Sequence, residues 1–164
     1  MKILGIDPGT VVLGYGIIEA QDDQMTLITS SVLECDKRSP MGERLCFLYD
    51  GLCSIIKEYQ PEAVAIEQPF FSKNARSALA IGKAQAVAIL AASKNKLPAY
   101  EYTPRQVKMR VAGHGDSQKE QVQEMVRLQL NLEEAPQPTD ASDALALAIC
   151  HAIEMKTRDA LAEG

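Results

Sequence analysis

Hydrophobic residues follow three rhythms along this chain, and each rhythm predicts a different kind of element. In Lys2-Ile3-Leu4-Gly5-Ile6-Asp7 and in Ala63-Val64-Ala65-Ile66-Glu67 both alternating faces are apolar or small, the pattern of a central strand covered on two sides, and each run ends on an acid. Residues 13–19 and 25–35 read as further strands on either side of the polar turn Gln21-Asp22-Asp23-Gln24, so the first three strands make an antiparallel meander. The three-four spacing of Leu45, Leu48, Leu52, Ile55 and Tyr59 predicts a helix opened by Pro40 and closed by Gln60-Pro61. An alanine-rich stretch at 74–95 predicts a second helix whose small residues permit close packing. A short strand at 98–102 follows, then helices at 104–111, at 117–130 and from Thr139 to about Thr157.

Three strands, helix, strand, helix, strand, helices is the order of an α/β fold in which a hairpin unit joins right-handed crossovers in one mixed five-stranded sheet flanked by helices. At 164 residues and 46% hydrophobic side chains the chain can bury one sizeable core, and residues 1–158 are expected to form a single domain with 159–164 as a short tail. The turn-rich segments at 113–116 and 133–138 are expected to be loops.

Targeting signals change little. The first eight residues lack the apolar stretch of a signal peptide, and the longest weakly polar run, 79–93, is interrupted by Lys83 and Gln85, so a cytoplasmic protein without a membrane span is expected. Cys35, Cys46, Cys53 and Cys150 show no paired spacing, and neither His114 nor His151 stands at finger-like distance from any two of them; buried reduced thiols are the expectation, with zinc a poor second. The net charge of -5 argues against a polyanionic partner until its distribution is considered. Between Lys73 and Lys119 stand nine basic residues and two acids, giving +7 there and -12 elsewhere, so the middle third can face a nucleic acid.

The candidate chemistry lies in carboxylates. Asp7 and Glu67 end buried strands, where a charge is costly unless compensated and where ligands collect. Asp140 and Asp143 stand three apart near a helix start, which puts both on one face. Taken singly each acid has an ordinary explanation, as a turn cap, an ion-pair partner or a complement to the helix dipole. Together, in a chain without a His or Cys cluster, they suit Mg2+, with Mn2+ as a substitute. Two such ions at one site would support in-line hydrolysis of a phosphodiester.

Several segments carry a family resemblance: Gly5-Ile6-Asp7-Pro8-Gly9-Thr10 with Gly14-Tyr15-Gly16, then Ala65-Ile66-Glu67-Gln68-Pro69-Phe70-Phe71, then Asp140-Ala141-Ser142-Asp143-Ala144-Leu145-Ala146. Segments 73–79, 102–108 and 119–126 match as well, and the likeness extends over about residues 2–155. The chain resembles the RuvC family of Holliday-junction resolvases. The resemblance implies a ribonuclease H-like fold and a homodimer that nicks two opposite strands of a four-way DNA junction, in recombination and repair, leaving 5′-phosphate ends. It implies a functional association with the RuvA–RuvB branch-migration complex. Asp7, Glu67, Asp140 and Asp143 fall on the family's catalytic and metal-binding positions. Phe70 falls on its base-stacking aromatic, and Lys108 and Lys119 on basic residues near the scissile phosphate. Lys73, Arg76 and Arg105 belong to the same basic segment and are expected to contact DNA. Pro69 departs from the family's usual aliphatic residue, and Asp140 stands where some members carry histidine.

Three other readings compete. Asp7-Pro8-Gly9-Thr10 before a glycine-rich strand also looks like the phosphate hairpin of sugar kinases and actin-like ATPases, whose two-domain plan needs roughly twice this length. A silent junction-binding module would have lost one of the four acids. A ribonuclease H-like nuclease for another branched or RNA-containing substrate is the nearest rival.

Overall fold

Asp7 and Glu67 end up side by side because the two strands that carry them are neighbours. The elements run β1 (Lys2–Asp7), β2 (Val12–Gln21), β3 (Gln24–Glu34), α1 (Met41–Tyr59), β4 (Ala63–Glu67), α2 (Ala75–Lys94), β5 (Ala99–Tyr102), α3 (Pro104–Ala112), α4 (Lys119–Gln129) and α5 (Thr139–Ala162). The structure is a computed structural model that describes residues 1–68 and 74–162. The sheet order is β3-β2-β1-β4-β5, with β1–β2 and β2–β3 antiparallel and β1–β4 and β4–β5 parallel. The mixed five-stranded sheet expected from the hydrophobic pattern is therefore present.

Strand alternation divides the core in two. Leu4, Ile6, Val64 and Ile66 face α1 and α2, where Leu48, Leu52, Ala88 and Ala92 close the layer. Ile3 and Ala65 face α5, backed by Val107 of α3 and Val126 of α4. Asp7 and Glu67 continue this second face, since Ile3, Gly5 and Asp7 alternate with Leu4 and Ile6.

Glycine allows α5 to lie directly on the sheet. Gly5 pairs with Gly16 and Asp7 with Gly14 across β1 and β2. A Cβ on Gly5 would overlap the carbonyl oxygen of Ala144, and one on Gly14 that of Asp140; on Gly16 it would meet Leu145. Backbone therefore packs against backbone, at a separation that any side chain at these positions would widen.

Element ends differ from the expected ones for local reasons. Asn74 caps α2 by accepting from the Arg76 and Ser77 amides, and Thr103 with Gln106 forms a capping box at α3. α4 starts at Lys119 rather than at residue 117, because Ser117 is held in the preceding turn by donating from Oγ to the His114 carbonyl at 2.8 Å. α5 runs past Thr157 to Ala162, with Arg158 paired to Glu154 one turn back. By length and composition alone α2 is long and apolar enough to cross a bilayer, although Lys83 and Gln85 interrupt it; Ala88, Ala91 and Ala92 are buried in the core it shares with α1. The cysteines are free, and Cys35 and Cys150 are buried as expected, but Cys53 is only partly buried and Cys46 is exposed, since it faces outward from α1 beside the half-exposed Phe47.

Candidate active site

The Ile6–Ile66 pairing leaves Asp7 and Glu67 at one end of adjacent parallel strands. Asp140 and Asp143, in the first turns of α5, descend onto that end over Gly14. Carboxylate oxygens of Asp7, Asp140 and Asp143 lie within 4.8 Å of one another, a separation one cation can bridge. Glu67 stands outside that triad but borders the same space: with Asp143, Lys108 and Lys119 it lines a cavity of about 260 Å³ whose floor includes Val107, Val122 and Leu147. Four acids from three separate parts of the chain thus meet at one site.

Their charges are in conflict. Burial pushes the Asp7 carboxyl up to about 8, and the charges of Glu67, Asp143 and Asp140 push the same way while Lys119 opposes them. Burial also raises Glu67, with Asp143 adding and Lys119 again opposing. Lys119 donates from Nζ to Asp143 Oδ2 at 2.9 Å, and that bond raises its own ammonium above the ordinary lysine range. An all-carboxylate set, crowded enough to hold a proton at neutral pH, fits a hard divalent cation that would replace the proton.

Of the expected DNA-contacting residues, Lys108 and Lys119 line the cavity, whereas Arg76 at the start of α2 and Arg105 on α3 are exposed and do not line it. Phe70 and Lys73 lie outside the described residues.

Two features were missed in the sequence. The apolar floor belongs to residues that read as ordinary helix-face positions of α3, α4 and α5. The turn after Asp7 is tied to α1 by Arg44, whose Nη1 donates to the Thr10 carbonyl oxygen at 3.3 Å and to Thr10 Oγ1 at 3.4 Å. The bond joins residues 34 apart, and no local pattern in the sequence points to it.

Comparison with known proteins identifies the family. The sequence profile of the family described as crossover junction endodeoxyribonuclease RuvC matches residues 3–151. This chain belongs to the RuvC family. A RuvC crossover junction endodeoxyribonuclease of Dehalococcoides mccartyi is 56% identical over 164 residues, covering 100% of this chain and 98% of that one. The RuvC protein of Desulforamulus reducens is 51% identical over 152 residues, 93% of each chain. A solved structure of Thermus thermophilus RuvC in complex with a Holliday junction substrate matches with a TM-score of 0.91 at 36% identity, covering 96% of both chains. The ribonuclease H-like fold expected from the sequence is thus the fold of this RuvC-family chain.

Proposed function

We propose that this protein is a crossover junction endodeoxyribonuclease that resolves four-way DNA junctions by paired, symmetric, Mg2+-dependent nicks. One observation carries the reading: three carboxylates within 4.8 Å of one another, joined by Glu67, adjoin a cavity lined by two lysines. Asp7, Glu67, Asp140 and Asp143 would hold two Mg2+ ions, which when bound supply an activated water and neutralise the leaving oxygen. The acids fix that arrangement because two come from rigid strand ends and two from a helix pressed on glycine. Lys108 and Lys119 neutralise the phosphate at which water adds and the 3′ oxygen departs, leaving a 5′-phosphate and a 3′-hydroxyl. Phe70 stacks on a base near the crossover, and Lys73, Arg76 and Arg105 contact the backbone farther out.

Symmetric nicking calls for two sites, so the protein acts as a homodimer. The exposed face of α2, with Leu79 at 67% and Leu90 at 57% exposure, is the proposed contact. The family resemblance also supports cooperation with the RuvA–RuvB complex, and free thiols with a DNA substrate support a cytoplasmic location. The test is incubation with a labelled synthetic four-way junction, its linear arms and an RNA–DNA hybrid, with and without Mg2+. Paired nicks in the junction alone, and only with Mg2+, are expected; preferential cutting of the hybrid would move the reading to another ribonuclease H-like nuclease.

A further inference from the structure

Lys119 opens α4, yet its ammonium is turned into the acid cluster, where Nζ donates to Asp143 Oδ2 at 2.9 Å. Its charge is felt beyond that partner, by Asp7, Glu67 and Asp140. The Lys119 side chain is 54% exposed and that of Asp143 30%, and ion pairs this open are held weakly. A divalent cation bound by the same carboxylate would compete with the ammonium for its lone pairs and bring twice the charge. Lys119 also lines the cavity in which Lys108 stands, so a released ammonium stays beside the space a phosphate would enter.

We propose that Lys119 is an internal counter-ion that occupies the acid cluster until a divalent cation loads, and that loading frees its ammonium for the phosphate in the cavity. This rests on the reading of the four acids as a metal site. One ammonium cannot be fully engaged with Asp143 and with a phosphate at the same time, so metal loading and phosphate engagement are coupled through a single side chain. A lysine that serves only the phosphate is indifferent to metal in the absence of DNA. A counter-ion is a competitor, and its removal tightens metal binding.

The experiment is a calorimetric titration of Mn2+ into the DNA-free protein for wild type, Lys119→Met, Lys108→Met and Asp143→Asn, with melting temperatures in chelator and in saturating Mn2+. Lys119→Met is expected to lower the Mn2+ Kd by about threefold or more, as loss of an adjacent like charge requires, and Lys108→Met to change it less. Lys119→Met should melt below wild type in chelator, because the acids lose their counter-ion, and the gap should close in saturating Mn2+. If Lys119→Met binds Mn2+ no tighter than wild type while Asp143→Asn binds it more weakly, the counter-ion proposal is overturned and the metal site stands. If wild type and Asp143→Asn bind Mn2+ alike, or neither binds it, the metal reading fails and the proposal falls with it.

Discussion

The backbone of Asp140 rests on Gly14, so closely that a Cβ at position 14 would overlap the Asp140 carbonyl oxygen. Gly14 is also the strand partner of Asp7. One glycine therefore sets the distance between two of the acids, from β1 through β2 to α5. Gly14→Ala should lift the start of α5 and separate Asp140 from Asp7, weakening Mn2+ binding by about tenfold or more in a calorimetric titration. Gly42→Ala, where a Cβ on α1 meets nothing within 4 Å, should leave binding unchanged and add about 0.5–1 kcal/mol of stability.

The crowded acids make metal-free stability depend on pH in an unusual direction. Asp7 carries a folded-state pKa of about 8 against an ordinary 3.8. Between those values the folded protein keeps a proton that the unfolded chain has lost, so the contribution of Asp7 to stability is fully present below about pH 4 and is lost as pH rises through 8. In chelator, Asp7 should therefore make the protein less stable at pH 8 than at pH 5.5, by more than about 1 kcal/mol. Asp7→Asn should remove most of that slope. Denaturant titrations of both proteins at the two pH values check it, and equal slopes would show that Asp7 is not held protonated by its surroundings.

Away from the site, His151 is 1% exposed, stacks on Tyr100 with ring centroids 4.3 Å apart, and shares a 2.7 Å hydrogen bond between Nδ1 and the Tyr102 hydroxyl. Burial lowers its pKa from 6.5 to about 4, with Arg158 adding to the effect. Here the unfolded chain takes up the proton first, so the contribution is present above 6.5 and is lost as pH falls toward 4. NMR should find the ring neutral at pH 5.5. Tyr102→Phe, which leaves the imidazole nitrogen without its partner, should cost about 1–3 kcal/mol in denaturant unfolding at pH 7.

Much of this was legible in the sequence because strand alternation and helix spacing are local. Asp7 and Glu67 each end a doubly buried run, and Asp140 and Asp143 share a helix face, so four acids could be named without a structure. Their meeting depends on long-range facts that no local pattern carries. The β1–β4 register brings Asp7 beside Glu67, and the glycine seat brings α5 down onto both. The Lys119–Asp143 bond joins residues 24 apart, and the exposure of Cys46 depends on which way α1 turns. Phe70, read from the family resemblance, and Lys73, read from the basic segment, lie outside the described residues.

In the proposed division of labour the carboxylates perform the cleavage while the basic segment performs the binding. Asp7→Asn keeps the side chain's size and removes one negative donor, so it separates the two. The decisive measurement is a gel-shift titration beside a nicking assay on one synthetic four-way junction in Mg2+, for wild type and Asp7→Asn. The variant is expected to bind the junction within about threefold of wild type and to nick it at less than about one hundredth of the rate. A folded Asp7→Asn protein that nicks the junction at the wild-type rate would show that Asp7 takes no part in the cleavage.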